Sequence, residues 1–313
     1  MQPLLALLLS CHLSLTLLIF LTATPTSAAT TAKPGCPTTC GNITVPFPFG
    51  IIHDGYSCSL SKWYSINCNT SFNPPKPFWG PKNHEIMEIS ETGQIRIKNT
   101  VARKCYGESN ITDTLVSASI QLKPSIIDNE AIPFAFSDTA NKFIVTGCDD
   151  IGVIAEPDST LAVSACITLC SNEKSLRKYN GSCSGIGCCQ TTIPKGLTMV
   201  DYLLGSARNH RIVMEFNQCG YVFLGDHEKF TFNVDDLSDP SFVNRTRDDV
   251  PVVVEWVVGV DESCAQAQRN PSTYACQNNA TCSDFDIGLR GGYRCHCLDG
   301  YEGNPYLSPG CTG

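Results

Sequence analysis

This chain of 313 residues contains 19 cysteines, which could bind metal, act as nucleophiles or form disulfide bonds. Cys36 and Cys40 are separated by three residues, and Cys188 and Cys189 are adjacent, so their thiolates could hold zinc. Cys183 is the centre of a Gly-Ser-Cys-Ser-Gly segment, similar to the turn around a catalytic nucleophile. Both uses need free thiolates, which are typical of a reducing compartment. If the chain is secreted, we instead predict that these cysteines form disulfide bonds.

The N-terminal segment indicates secretion. Residues 1–29 contain a long apolar run, residues 4–21, followed by small residues, which is the pattern of a secretory signal peptide. The alternative is a membrane-anchoring helix, but Ser10 and His12 interrupt the run, and a span needs about 20 apolar residues. Cleavage would remove Cys11 and leave an even number of cysteines, as internal pairing requires. Residues 30–35 then form a short linker.

Sequons of the form Asn-x-Ser/Thr also favour an extracellular location, because N-glycans mark surface sites of secreted proteins. The chain contains six, none with proline in the middle, spread over the part that follows the signal. The predicted glycosylation sites are Asn42, Asn69, Asn110, Asn180, Asn244 and Asn279.

Clusters of basic side chains are candidates for binding an acidic polymer, because its carboxylates need cations spaced along a groove. Residues 36–219 carry 15 Lys and Arg against 16 Asp and Glu, whereas residues 220–313 carry 6 against 14. The overall net charge of −8 therefore does not exclude an acidic ligand on the first part. The alternative is that each cluster is simply a solvated face. The two clusters are Arg96, Lys98, Arg103 and Lys104, and Lys174, Arg177 and Lys178.

Catalytic patterns are weak by comparison. Adjacent carboxylates such as Asp149-Asp150 could act as a glycosidase pair, but in polar segments we expect them in solvated turns. The histidines show no metal or relay spacing, and the sequence contains no phosphate-binding loop with its lysine. We therefore predict a protein without catalytic activity. Four aromatic residues could stack on sugar rings or pack beneath loops, namely Trp63, Tyr64, Phe78 and Trp79.

The elements that must position these side chains are predicted to be β-strands. Residues 85–99 alternate apolar and polar side chains on both sides of a turn with Gly93, which predicts a hairpin. No long amphipathic helix is evident, so we predict a mainly β, disulfide-rich fold. Further short runs rich in β-forming residues lie at 142–148, 211–216, 221–225, 229–234 and 250–258.

The segment Val-Pro-Phe-Pro-Phe-Gly at 45–50 predicts a rigid apolar arm. Its two prolines lack backbone donors, so the segment can lie only at a sheet edge or beside a sheet. Phe47 and Phe49 then point the same way, and we expect both to pack onto the core.

Several uncommon motifs follow one another in the order seen in a known family. They are CPTTCGNITVPFPFGI at 36–51, GSCSGIGCCQTTIPKGL at 181–197 and CGYVFLG at 219–225. With them the chain resembles the extracellular region of plant wall-associated receptor kinases. The resemblance implies an N-terminal domain of the type named for binding galacturonan, the polyacid of pectin. In that family a transmembrane helix and a cytoplasmic kinase follow, and we expect neither in this chain.

The last six cysteines lie at 264, 276, 282, 295, 297 and 311. The fourth and fifth form a Cys-x-Cys motif, and a Gly-Tyr pair follows it. With this pattern the segment resembles an EGF-like module. Six cysteines allow 15 pairings, so spacing does not select one. The resemblance implies Cys264–Cys282, Cys276–Cys295 and Cys297–Cys311. The predicted organisation is a signal peptide 1–29, linker 30–35, galacturonan-binding-like domain 36–249 with two lobes meeting near 149–160, connecting strand 250–263 and EGF-like module 264–313.

Calcium is the one cofactor that the module brings into question. Some EGF-like modules bind it through acidic residues before the first cysteine and another between the third and fourth, which makes Asp261, Glu262 and Asp284 candidates. Ser263 separates the first two from the cysteine, and in the family the calcium-type module is typically the second. We therefore predict no cofactor, with calcium as an open alternative.

The resemblance implies a non-catalytic binding function outside the cell. The expected ligand is acidic cell-wall polysaccharide, pectin or oligogalacturonides, and we expect no nucleic acid partner. The expected location is the cell wall. In full-length relatives, the corresponding part lies outside the cell and belongs to a single-pass plasma-membrane protein. The alternative function is a receptor or co-receptor that binds a peptide or protein.

Overall fold

The computed structural model shows Thr31–Gly313 as one compact unit. The predicted signal peptide and the Asn110 sequon lie outside the described part, so nothing is added to either prediction. The predicted lobe boundary near 149–160 lies only partly within it, and the predicted division into domains stays a prediction. The residues described are 31–53, 58–90, 93–107, 115–123, 131–155, 162–288 and 290–313.

The fold is mainly β, as predicted. The strands in chain order are β1 Thr39–Cys40, β2 Ile43–Thr44, β3 Gly50–Ile51, β4 Ser65–Asn69, β5 Lys76–Trp79, β6 His84–Ile89, β7 Gln94–Ile97, β8 Ala102–Cys105, β9 Val116–Gln121, β10 Phe134–Phe136, β11 Asn141–Thr146, β12 Asp150–Ala155, β13 Ala162–Thr168, β14 Cys188–Thr191, β15 Met199–Ser206, β16 Cys219–Asp226, β17 Val252–Trp256, β18 Ala280–Asp286 and β19 Gly291–Cys297.

The described helices are short. The longest has eight residues, so the expectation of no long amphipathic helix is confirmed for the described part of the chain. No described helix is long and apolar enough to cross a membrane. The α-helices are α1 Glu173–Leu176, α2 Phe242–Asp249 and α3 Cys264–Ala267, and the 3-10 helices are Lys62–Tyr64, Arg177–Tyr179 and Val234–Leu237.

A seven-stranded sheet with the order β10-β17-β7-β6-β5-β4-β3 organises the first part of the chain. The predicted hairpin forms as β6 and β7, which pair antiparallel. The sheet places β17 between β10 and β7, so the predicted connecting strand is an interior strand of this sheet. Alternation along β7 buries Ile95 and Ile97 and directs Arg96 to the opposite face.

The proline-rich arm ends at the edge of this sheet. β3 is the edge strand, and Val45 and Phe49 before it are fully buried, with Phe47 only 5% exposed. The Phe49 ring lies 5.3 Å from that of Tyr64 and 5.4 Å from that of Trp256. The arm therefore packs onto the core, as predicted.

Two four-stranded sheets, β14-β11-β16-β8 and β13-β12-β15-β9, stack on each other in the middle of the chain. Close approach is possible because Gly152 on β12 has no side chain, and a Cβ there would lie 2.3 Å from a methyl carbon of Val145 on β11. Phe143 and Tyr202 contact each other between the sheets, with 6.3 Å between ring centroids. The Cys166–Cys189 disulfide joins β13 to β14.

Two predicted strands do not form. The strand prediction for 229–234 is wrong because Asn233 and Asp236 form a capping box that starts the 3-10 helix there. The strand prediction for 211–216 is also wrong. His210 has a φ of 56°, and the chain turns back so that the backbone N–H of Val213 donates to the carbonyl of His210.

Disulfides connect all eighteen cysteines that follow the predicted signal. The zinc and nucleophile alternatives are therefore not realised, and Cys183 is bonded to Cys188. The last module contains the three pairs that the resemblance implied. The nine bonds are Cys36–Cys58, Cys40–Cys68, Cys105–Cys219, Cys148–Cys170, Cys166–Cys189, Cys183–Cys188, Cys264–Cys282, Cys276–Cys295 and Cys297–Cys311.

Candidate functional site

The first predicted cation cluster is divided between two sheets, and its first two members are ion-paired. Arg96 contacts Asp226 at 3.3 Å and Glu88 at 3.6 Å. Lys98 contacts Asp248 at 2.7 Å and Glu85 at 3.8 Å. An acidic ligand would have to compete with these carboxylates, so the two side chains make a poor primary site.

The other two members lie on β8 and point in opposite directions, as neighbours on a strand do. Arg103 is exposed and borders a small cleft with Tyr221 and Asp239. Lys104 is only 4% exposed, with its Nζ 5.3 Å from the centre of the Tyr106 ring. The structure therefore does not bring the four predicted cations together into one groove.

The second cluster is exposed on α1 and the 3-10 helix after it. Arg177 contacts Glu173 at 3.1 Å and Asp235 at 3.2 Å. Lys174 and Lys178 are exposed, and no ion pair is recorded for them among the described residues. The three clefts given by the described residues are lined by other side chains.

A cleft of about 420 Å³ lies instead on the hairpin formed by β4 and β5. Register explains its polar and aromatic lining. Ile66 pairs with Trp79 and both side chains are buried, whereas Asn67 pairs with Phe78 and both reach the surface. The residues lining the cleft are Ile52, Lys62, Trp63, Ser65, Asn67, Phe78, Trp79, Gly80, Pro81, Asn83 and Leu122.

The aromatic residues singled out in the sequence divide into two pairs. Trp63 and Phe78 are partly exposed and line the cleft, so their rings are available to stack on a sugar. Tyr64 and Trp79 are buried, and burial raises the pKa of the Tyr64 hydroxyl far above its usual range. The indole Nε1 of Trp79 donates to the carbonyl of Trp63 at 2.8 Å, which holds the backbone of Trp63 in place.

Basic side chains border the same cleft. The Nζ of Lys62 lies 5.0 Å from the centre of the Trp63 ring, so the cation and the ring face the ligand space together. Lys82 is exposed in the turn between β5 and β6, flanked by the lining residues Pro81 and Asn83. Lys76 lies further along β5 and contacts Glu85 at 2.7 Å. The arrangement combines stacking rings, amide groups and cations, which suits an acidic carbohydrate.

The cleft lysines and amides were missed by the sequence reasoning, which looked for basic clusters. The sequence does contain a signal for the cleft: basic residues lie close to aromatic residues at Lys62-Trp63 and at 79–83, where Lys82 follows Trp79. The turn is made possible by Gly80, which has a φ of 74°. Lys62 and Lys82 are twenty positions apart, and they come to the same cleft because the chain folds back between them.

The structure brings the three calcium candidates to one cleft, and two of them have partners of their own. Asp261, Glu262 and Asp284 border this cleft together with Asp286, which pairs with Lys195 at 2.9 Å. The carboxylate of Asp261 contacts Arg290, and Oδ1 of Asp284 accepts from the backbone N–H of Cys264 at 2.6 Å. Among the residues that the structure describes, no group of three or more His, Cys, Asp or Glu could hold a metal ion. Calcium binding stays a hypothesis.

The predicted glycosylation sites that the structure describes are on the surface. Asn42, Asn180, Asn244 and Asn279 are exposed, and Asn69 is half-buried. The Nδ2 of Asn279 donates to the carbonyl of Cys311 at 2.9 Å. Use of these sites stays a prediction.

The expectation that Asp149 and Asp150 lie in a solvated turn is wrong, because both are buried. Asp150 Oδ1 lies 3.0 Å from Nε2 of His210, whose Nδ1 lies 2.9 Å from the carbonyl oxygen of Asn217. A carbonyl only accepts, so Nδ1 carries a proton, and a further proton lies between Nε2 and Asp150. Burial raises the pKa of Asp150 to about 6, opposed by its contact with His210. With both side chains fully buried, no substrate can reach them, and the pair holds the fold together.

Comparisons with known proteins match two parts of the chain. The family described as wall-associated receptor kinase galacturonan-binding matches residues 36–99, and the EGF-like domain family matches residues 264–305. Ten of the eleven residues lining the hairpin cleft lie within the first match. No solved structure matches the chain.

Curated relatives extend the similarity over most of the chain. Wall-associated receptor kinase 2 of Arabidopsis thaliana is 34% identical over 278 residues, which cover 88% of this chain and 34% of the relative. Wall-associated receptor kinase 5 of the same plant is 30% identical over 280 residues, covering 88% and 34%. The chain thus spans about a third of the length of the curated relatives it matches.

The fold and both matches define a β-rich, disulfide-bonded protein with a galacturonan-binding-type region and an EGF-like domain. The chain is similar to wall-associated receptor kinases over most of its own length, as its sequence motifs indicated.

Proposed function

We propose that this chain binds acidic cell-wall polysaccharide, pectin or oligogalacturonide, in the hairpin cleft, and that it does so outside the cell without catalysing a reaction. The observation that carries the proposal is the position of Trp63 and Phe78 beside Lys62 within the region that matches the galacturonan-binding family. Rings stack on sugar faces, and lysines pair with the carboxylates of the polymer.

The charge distribution favours this cleft over the first cluster singled out in the sequence. Lys82 is exposed beside the cleft, whereas Arg96 and Lys98 each contact two carboxylates. Displacing those carboxylates would cost part of the energy gained from the ligand. Lys76 contacts Glu85, so its charge is partly neutralised and it adds less to the attraction than Lys82.

Calorimetric titration with oligogalacturonide at low and high salt tests the proposal. We expect saturable binding that weakens with salt, because the attraction between exposed charges is screened. The Lys62→Ala/Lys82→Ala variant should weaken binding at least tenfold, or about 1.4 kcal/mol. The Lys174→Ala/Lys178→Ala variant is the matched control, since it removes two exposed lysines far from the cleft in sequence, and it should bind normally.

Three other outcomes have distinct meanings. Loss of binding in the Lys174→Ala/Lys178→Ala variant alone would move the site to the second cluster. Absence of binding at low salt would overturn the proposal and leave a peptide or protein ligand as the alternative. Release of new reducing ends from pectin would contradict the non-catalytic part.

A further inference from the structure

The sequon at Asn69 lies on the same surface as the cleft. Along β4, side chains alternate, so Asn69 shares a face with Ser65 and Asn67, which line the cleft. The rise of a strand places Asn69 about 7 Å beyond Asn67. Its partner across the hairpin is Lys76, next to the Asn67–Phe78 pair.

The side chain of Asn69 is oriented in a way that leaves its amide nitrogen available. Its Oδ1 accepts a hydrogen bond from the backbone N–H of Ser71 at 2.9 Å. No hydrogen bond of Nδ2, the atom that carries an N-glycan, is recorded among the described residues. The turn Asn69-Thr70-Ser71 also presents the serine hydroxyl that the sequon requires, at an exposed position.

An exposed aromatic ring follows this asparagine by three residues and contacts a ring that lines the cleft. Phe72 is 42% exposed, although its size would favour burial. It lies 5.9 Å from the Phe78 ring, and the Nζ of Lys76 lies 5.2 Å from its centre. A continuous strip of Phe72 and Phe78 therefore leads from the glycan site to the cleft, and a sugar can stack on it from either end.

We propose that an N-glycan on Asn69 rests on Phe72 and covers the Lys76 end of the cleft, so that glycosylation limits how acidic polysaccharide enters. The glycan and the ligand compete for the same aromatic strip because both are carbohydrates. This inference rests on the proposed function for its effect on binding, but the covering of Phe72 and Lys76 does not depend on any ligand.

The test uses the full chain secreted from a glycosylating host. Mass spectrometry of the peptide containing Asn69 first reports whether the site carries a glycan, and an unmodified Asn69 overturns the proposal. Ser71→Ala removes the sequon and keeps the asparagine and its bond to the backbone of residue 71. Ser182→Ala removes the Asn180 sequon beside the second lysine cluster and serves as the matched control.

Acylation of lysines by an amine-reactive reagent, without ligand, tests the covering directly. Lys76 should become several-fold more reactive in Ser71→Ala than in the wild type, whereas the exposed Lys229 should not change. Equal reactivity of Lys76 in both proteins overturns the proposal, whatever the protein binds.

Titration with oligogalacturonide then tests the consequence for binding. We expect Ser71→Ala to bind about fivefold more tightly than the wild type, and Ser182→Ala to bind like the wild type. If all proteins bind equally, the glycan does not limit entry and this inference fails while the proposed function stands. If none binds and Lys76 is uncovered in Ser71→Ala, the proposed function fails and the covering stands.

Discussion

The side-chain amide of Asn304 donates a hydrogen bond to the backbone carbonyl of Phe47, with 2.6 Å between nitrogen and oxygen. The bond joins the EGF-like module to the proline-rich arm. Two further contacts join the module to β17: the Tyr306 ring lies 5.7 Å from that of Trp256, and Arg294 contacts Glu255 at 2.6 Å. The module is therefore packed against the part that carries the cleft.

Replacing Tyr306 tests this packing. Tyr306 is only 7% exposed, so Tyr306→Ala should leave a cavity and lower the free energy of unfolding by about 3 kcal/mol. Urea unfolding followed by tryptophan fluorescence measures the change. Tyr301 in the same module is 39% exposed, so Tyr301→Ala should change stability by less than about 0.5 kcal/mol. Equal, small effects of both substitutions would show that the module does not depend on this contact.

Arg96 is expected to stabilise the fold more than it contributes to ligand binding. Its partner Asp226 is 2% exposed, and Arg96→Ala leaves that carboxylate buried with one charged partner fewer. We expect a loss of about 3 kcal/mol in unfolding free energy, because breaking a buried ion pair strands a charge. Lys82→Ala, at an exposed position, should cost less than about 0.5 kcal/mol. A stable Arg96→Ala protein that no longer binds oligogalacturonide would restore Arg96 as a site residue.

The buried Asp150 predicts a stability change between pH 4 and pH 6. Its pKa is raised to about 6 from an ordinary 3.8, so the folded chain holds a proton that the unfolded chain releases in this range. The contribution of Asp150 to unfolding free energy therefore falls as pH rises from 4 to 6 and is constant above. His84 opposes it, because burial lowers the pKa of His84 and acid then favours the unfolded chain.

The difference between wild type and Asp150→Asn isolates the effect of Asp150 from that of His84. The unfolding free energy of the wild type minus that of the variant should decrease from pH 4 to pH 6. Urea unfolding at several pH values gives this difference. A difference that is constant or increases with pH would show that Asp150 is ionised in the fold throughout this range.

Local sequence patterns predicted the elements whose defining residues lie close together in the chain. The prolines of the arm, the Gly93 turn and the cysteine spacing of the last module each indicate a structure within a few tens of residues. The strand predictions at 211–216 and 229–234 failed because the positive φ of His210 turns the backbone and the side chain of Asn233 caps a 3-10 helix, and both outweigh β-propensity.

Long-range relationships were beyond such patterns. The Cys105–Cys219 bond joins residues 114 positions apart, and the contact of Asp150 with His210 joins residues 60 apart. Arg96 lies on β7 and Lys98 directly after it, but the carboxylates that engage them come from other elements. The cleft likewise forms because Lys62 and Trp63 fold against the turn that follows β5. The spacing of these residues along the chain does not reveal this contact.

Hydrogen–deuterium exchange with and without oligogalacturonide tests most directly whether the hairpin cleft is the binding site. The backbone amides in peptides covering 62–67 and 78–83 should exchange more slowly with the ligand present, because the ligand covers both sides of the cleft. Peptides covering 173–179 should exchange at the same rate. Saturable binding with protection at 173–179 and none at the cleft would contradict the account.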